Sequence, residues 1–480
     1  MTQYPIPNPK RQIRRWTLII SLLLLTWGLR LCCLETVPPG WRDDELINIH
    51  ALSGEVLAGR FPLYFTGASG HEPLYHYVHA GVHALLGFNV LSGHLLSVAC
   101  GTLAVALTYR LARRLFGRTS AAVASLALAT SFWSLMYSRT GMRHISATTF
   151  ALAAFYLLWP LLTDQSPTSN LQPSASNPQS PIPNTQSPIG RSSSVIPYVR
   201  YIALGLTLGA SLYTYTAARL LPLVLVLFAA YLALFHRAQF VRHWRGLLLA
   251  LAVAAVLAAP LAVAIAQGRS EAAAQGIGAD ARLAELALPL RELQAGDPRP
   301  LLESTRTTLG MFHATGDPEW LYNISDRPVF NLFGGALLWA GVALCLYRWR
   351  QPRYFFLLLW LGLGLLPAFV SIPPASLSHT ILAQPVAYIL PALALVELYR
   401  WLMSRNLQPA VRSALFVICH LSFVIFLTTH TIRDLRDYFI TWPERGLVRF
   451  LYRADYREAA HYLDSHPEVT DVAVSSALMG

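Results

Sequence analysis

Uninterrupted apolar runs recur along this chain, beginning with WTLIISLLLLTWGLRLCCL at residues 16–34. A lipid bilayer offers backbone N–H and C=O groups no water, so only helices and closed barrels cross it. About 20 apolar residues in a helix cover the hydrocarbon core. The first run is long enough, and no small-residue cleavage site follows it, so it reads as a retained helix rather than a signal peptide. Comparable runs follow at 92–111, 119–137, 144–162, 198–216, 219–235, 246–266, 331–348, 354–371, 380–399 and 412–430. The expected fold class is an all-α polytopic membrane protein with about 11 transmembrane helices.

Charge supports this reading. The 480 residues are 54% hydrophobic and 13% charged, against about 25% charged in a soluble protein. Lys and Arg outnumber Asp and Glu, 37 to 25. The excess lies in short loops: Lys10, Arg11, Arg14 and Arg15; Arg110, Arg113, Arg114 and Arg118; His236, Arg237, Arg242 and Arg245; YRWRQPR at 347–353; YRWLMSR at 399–405. All fall on one side if the N-terminus is cytoplasmic, as the positive-inside rule requires. Topology therefore explains the basic balance. No aromatic-and-basic RNA motif or zinc-finger spacing is present, which argues against nucleic acid as a partner. The five cysteines lie in or beside apolar runs without CxxC spacing, and read as small packing residues.

Residues 1–430 are expected to form one transmembrane domain. Within it, 163–197 is rich in Ser, Pro, Asn and Gln and is expected to be a disordered cytoplasmic loop. The first outer loop, 35–91, should carry an interfacial helix (ELINIHALSGEVLAG) and a second helix over about 72–87. Residues 431–480 form an extracytoplasmic tail, either packed on the membrane domain or opening a truncated soluble domain. The NIS triplet at 323–325 reads as a chance sequon.

The chemistry gathers on the outer side. The first loop supplies Asp43, Asp44, Glu45, His71 and Glu72; later turns supply Arg139, Arg143 and His144, then Tyr213, Tyr215 and Arg219, then Ser376 and His379. Each has a bland alternative: arginines snorkel or anchor helix ends, tyrosines join an aromatic belt, and His76, His79 and His83 are interface residues. Acids and cations from separate turns meeting near membrane depth instead suggest a polar hollow.

The ordered set DDE at 43–45, an interfacial helix, GHEPLYHY at 70–77, SRTGMR at 138–143 and YTYTAAR at 213–219 resembles the polyprenyl-phosphate-sugar-dependent glycosyltransferases of the GT-C fold. The similarity is to the branch holding protein O-mannosyltransferases and the lipid A aminoarabinose transferase, with Asp44-Glu45 matching its acidic pair and Pro73-Leu74-Tyr75 its Pro-Leu-aromatic motif. This chain departs from it at His379, where many relatives carry Arg, and at Glu72, where the aminoarabinose enzymes carry Lys.

The resemblance implies sugar transfer from a polyprenyl-phosphate donor to an acceptor hydroxyl at the extracytoplasmic face of a bacterial-type inner membrane, with inversion. Asp44 would be the base, its pKa raised by Asp43, Glu45 and partial burial. Glu45 would orient it or bind a divalent cation, and Glu72 would position acceptor or sugar. Arg139, Arg143, Arg219 and His379 would bind the donor phosphate, because a guanidinium fork suits its oxygens. Asp43, His71, Tyr213 and Tyr215 would line the donor. Oxygen ligands at Asp44 and Glu45 would suit Mg²⁺, Mn²⁺ or Ca²⁺, though the sequence names no cofactor. The sugar and the acceptor (lipid, glycan or protein) stay open. The competing readings are a polytopic transporter or lipid flippase, another membrane transferase, and a scaffold; no internal repeat favours the first.

Overall fold

The computed structural model describes residues 9–67, 70–163, 195–274, 287–406 and 408–471. The described residues are helical, with one isolated bridge between Phe65 and His71. Helix α1 (Pro9–Leu31) leads into a polar region holding α2 (Asp43–Leu46), a π-helical turn (Ile47–Leu52), α3 (Ser53–Leu57) and α4 (Leu74–Leu86). Then come α5 (Val90–Phe116), α6 (Arg118–Thr130), α7 (Phe132–Ser138), α8 (His144–Thr163), α9 (Val195–Ser211), α10 (Leu221–Phe235) and α11 (Arg237–Ala274). A second polar region carries α12 (Leu288–Gln294) and α13 (Arg299–Gly310). The last long helices are α14 (Leu332–Tyr347), α15 (Pro352–Phe369), α16 (Gln384–Met403) and α17 (Pro409–Arg436), followed by the short α18 (Gly446–Leu451) and α19 (Ala454–Ser465).

Every expected span falls on a helix, and the first polar region holds both expected helices. Among the described residues seven helices are long and apolar enough to cross a membrane, or eight if α6 and α7, bent by 61° at Ser131, form one span. Two further apolar helices, Trp16–Leu31 and Leu332–Tyr347, are shorter. The protein is a multi-pass membrane protein, and seven or eight of its described helices meet the length and composition of a crossing, against the eleven expected. The Ser/Pro-rich segment lies outside the described residues over 164–194, as does the expected final strand from 472 onward.

Packing sorts the helices. The span containing α16 is 89% buried and α8 is 72% buried, whereas α17 is 11% and α11 17% buried over their most apolar windows. The first pair forms the centre, and the second presents leucines, isoleucines and valines to lipid. Helix ends are set locally. Asn89 caps α5 by accepting the Ser92 N–H at 2.8 Å, and Ser131 caps α7 by accepting that of Ser134 at 3.1 Å. The Ser131 cap lets the chain turn sharply inside the core, and Asp434 of α17 accepts the adjacent Phe132 N–H at 2.9 Å.

The segment after α17 folds back over the 311–330 loop and the start of the first polar region. Trp442 donates to the Trp320 carbonyl at 2.9 Å, Tyr452 to that of Leu321 at 2.9 Å, and Arg457 to that of Pro39 at 2.9 Å. Arg327 ties the 311–330 loop to α17 through Asp434 (2.5 Å) and Asp437 (2.6 Å). The part of the tail described here thus packs on the membrane domain. Gly40 makes that possible, because a Cβ there would lie 2.1 Å from the Tyr452 carbonyl oxygen. Gly40→Ala is expected to lower the unfolding midpoint in detergent and expose 442–457 to limited proteolysis. Wild-type protection would show that this backbone contact is not required.

Candidate active site

One end of the bundle gathers the ionisable residues of the first polar region and of three later turns. The acidic run starts α2, where free N–H groups favour negative charge. Glu45 is wholly buried. Its Oε1 accepts the Gly141 N–H at 2.6 Å and lies 3.3 Å from His94 Nε2, while Oε2 is 3.4 Å from the Arg42 N–H. Asp44, the preceding residue, points elsewhere. Its side chain is 48% exposed and pairs with Arg42, and the Tyr322 hydroxyl stands 3.5 Å away. Arg42 in turn lies over the Tyr322 ring, 4.6 Å from its centroid. Burial raises the Tyr322 phenol above its ordinary value, so the hydroxyl stays protonated and donates toward Asp44.

The second polar group surrounds Glu72, also wholly buried. Oε1 accepts from Arg219 Nη2 and from Thr216 Oγ1, each at 2.9 Å, and Oε2 lies 3.5 Å from Arg143 Nε. Arg143 Nη1 is 2.8 Å from His71 Nδ1, and its guanidinium lies 5.5 Å from the Tyr215 ring centroid. The local fold fixes this arrangement. Phe65 and His71 exchange backbone hydrogen bonds of 3.0 and 2.8 Å, and the Leu74 N–H reaches the Tyr213 carbonyl at 3.0 Å.

Aromatic rings join the two groups. Tyr322 stacks on Tyr137 at 5.8 Å, Tyr137 meets His144 at 5.4 Å, and His144 meets Tyr215 at 4.2 Å. Contacts therefore run without a break from Asp44 to Tyr215, Arg143, His71, Glu72 and Arg219. His379 lies within electrostatic reach of His144. Its Nδ1 is 2.9 Å from Ser371 Oγ, and burial lowers its pKa, which leaves the ring neutral near pH 7.

Four expectations need correction. Arg139 is not available to a phosphate: it is wholly buried, and its guanidinium donates to the carbonyls of Leu29 (2.7 Å), Arg30 (2.9 Å) and Val37 (2.6 Å) at the end of α1. Tyr213 turns away, its hydroxyl donating to Leu257 of α11 at 2.7 Å. Asp43 is exposed beside Arg453, 3.8 Å away, and does not line the group around Glu72. Glu45 and Asp44 do not share a cation site, because Glu45 is enclosed by Gly141 and His94. Among the described residues no group of three or more His, Cys, Asp and Glu side chains is placed to hold a metal ion.

The sequence missed Arg42, Tyr137, Tyr322 and Asp317. Arg42 directly precedes the acids, the one local signal available. Asp317 is buried and accepts the Leu377 and Glu319 N–H groups at 2.7 and 2.9 Å, joining the two late loops. Burial outweighs those bonds and pushes its carboxyl up to about 7. Asn323 of the NIS triplet is buried and donates to the carbonyls of Asp317 (3.0 Å) and Arg327 (2.8 Å), a structural role.

Comparison with known proteins adds to this geometry. Residues 70–171 match the family model for dolichyl-phosphate-mannose-protein mannosyltransferase. The archaeal oligosaccharyltransferase AglB from Archaeoglobus fulgidus, solved with an inhibitory peptide and a dolichol-phosphate, superposes with a TM-score of 0.53 at 15% identity, over 88% of this chain and 56% of that one. ArnT from Cupriavidus metallidurans, solved with undecaprenyl phosphate, superposes with a TM-score of 0.50 at 14% identity, over 95% of this chain and 80% of that one. The chain has the GT-C fold. It spans little more than half the length of the oligosaccharyltransferase chain, 56%. No curated protein sequence matches it.

Two expectations follow from the burial. Arg139→Ala should lower the unfolding midpoint through loss of charged hydrogen bonds, each worth about 1.5–3 kcal/mol; wild-type stability would return Arg139 to the phosphate candidates. His76 and His79 are buried neutral, burial lowering them to about 3 and about 4. The unfolded chain then binds more protons below about 6.5, the ordinary histidine value. Stability should be intact above that value and fall as pH drops toward 4, measured as unfolding midpoint against pH. A flat profile would contradict it.

Proposed function

We propose that this protein is a membrane glycosyltransferase that moves a sugar from a polyprenyl-phosphate donor to an acceptor hydroxyl. The observation that carries the reading is a half-exposed carboxylate, Asp44, and a guanidinium pair, Arg143 and Arg219, at opposite ends of one wall of aromatic rings. The AglB and ArnT structures hold dolichol-phosphate and undecaprenyl phosphate respectively, and both share this fold.

Asp44 takes the proton from the acceptor hydroxyl as its oxygen bonds to the anomeric carbon. The bond from that carbon to the phosphate oxygen breaks, and its electron pair leaves with the polyprenyl phosphate. Arg143 and Arg219 stabilise the charge that develops there. Tyr322 and Arg42 hold Asp44 in place, and Glu45 fixes the turn of helix beneath it. A single displacement inverts the anomeric centre. His379 lends a neutral donor, and Tyr215 and His144 form a wall for the sugar. The positive-inside pattern supports a cytoplasmic N-terminus and an extracytoplasmic site in an inner membrane.

The test incubates wild-type and variant membranes with labelled polyprenyl-phosphate sugars and follows transfer to endogenous acceptors and polyprenyl phosphate release. Asp44→Asn is expected to lower transfer by about 100-fold or more with normal insertion. Arg219→Ala should weaken donor use more than acceptor use. Unchanged transfer in Asp44→Asn would remove that residue from the chemistry.

A further inference from the structure

Glu72 cannot serve as the acceptor-positioning acid its sequence context suggests. It has no exposed surface, and its ionic partners are Arg143 and Arg219, whose side chains are 11% and 38% exposed. Arg219 has an open side, Arg143 a narrow one, and the acid none. Nor is it free to swing out, because it lies between the Phe65–His71 bridge and Pro73, with the Leu74 N–H held by Tyr213. Whatever Glu72 does to a ligand, it does through the two guanidiniums.

Two guanidiniums and one carboxylate give this group a formal charge of +1. The other acid nearby, Asp44, is matched by its own cation, Arg42. His71 Nδ1 lies 2.8 Å from Arg143 Nη1, on the same group. A sugar donor's phosphodiester carries one negative charge and would bring the group to neutrality. The polyprenyl phosphate left after transfer is a monoester, whose second ionisation lies near pH 6, so it carries close to two charges above neutrality. It would leave the group with a surplus negative charge beside a carboxylate that water does not reach, where like charges repel strongly.

We infer that Glu72 sets the charge of the phosphate site so that it accepts the monoanionic phosphodiester of the donor and sheds the dianionic phosphomonoester product. The same balance discriminates against diphosphate-linked donors. Glu72 is thus a specificity and product-release residue acting through Arg143 and Arg219. The inference rests on the reading of those arginines as donor-phosphate ligands.

The experiment measures dissociation constants in lipid nanodiscs at pH 7.5 for undecaprenyl phosphate and for its methyl diester. The proteins are wild type, Glu72→Gln, Glu72→Asp and Arg219→Ala. Wild type and Glu72→Asp are expected to bind the diester at least as tightly as the monoester. Glu72→Gln should bind the monoester about tenfold tighter than wild type, with a smaller change for the diester. An unchanged monoester-to-diester ratio in Glu72→Gln, with both ligands weakened by Arg219→Ala, would overturn the charge inference and leave the phosphate site standing. Indifference of both ligands to Arg219→Ala would overturn both. Wild type alone also decides: a tenfold preference for the monoester would sink the inference even if Glu72→Gln fails to fold.

Discussion

The contact on which the site depends is the one between the Glu45 carboxylate and the Gly141 N–H, at 2.6 Å. It joins the first turn after α1 to the turn between α7 and α8, segments nearly a hundred residues apart. A buried carboxylate is costly to hold unless its lone pairs are used, and here the backbone of Gly141, His94 and the Arg42 N–H use them. Successive helical residues point about 100° apart. Fixing Glu45 inward therefore directs Asp44 to the side, toward Arg42 and Tyr322. An acidic run that repels itself in isolation becomes three side chains with different surroundings: Asp43 in solvent, Asp44 at the edge of the site, Glu45 in the core.

The membrane helices were legible because the bilayer imposes one requirement, an apolar run of sufficient length, and sequence states it directly. The acids of the first polar region and the arginines of later turns were also legible, as charges near membrane depth have few places to go. Direction was not. Arg139 and Arg143 lie four residues apart on the same turn, and nothing local says that one caps the end of α1 while the other faces Glu72. Tyr213 and Tyr215 pose the same problem: extended backbone would put both rings on one side, but a turn over 212–214 breaks that alternation. Tyr322 was out of reach for a different reason. It comes to Asp44 from 278 residues away, on a loop that Arg327 pins to α17 and Tyr452 pins to the tail.

The two charged groups differ in what they leave unsatisfied. Around Asp44, Arg42 is buried and engaged by Asp44 and the Tyr322 ring, while the acid itself is half-exposed. Around Glu72, the acid is enclosed and Oε2 lacks a hydrogen bond. An anion approaching the second group meets guanidiniums already half-neutralised, and attraction there is limited by design of charge rather than by lack of donors. Between the groups stand Tyr322, Tyr137, His144 and Tyr215, of which Tyr137 and His144 are buried and Tyr322 and Tyr215 are partly open. In the proposed reaction, proton removal falls beside Asp44 and phosphate departure beside Arg143 and Arg219, so negative charge builds on the leaving group next to its own cations and away from the carboxylate that takes the proton.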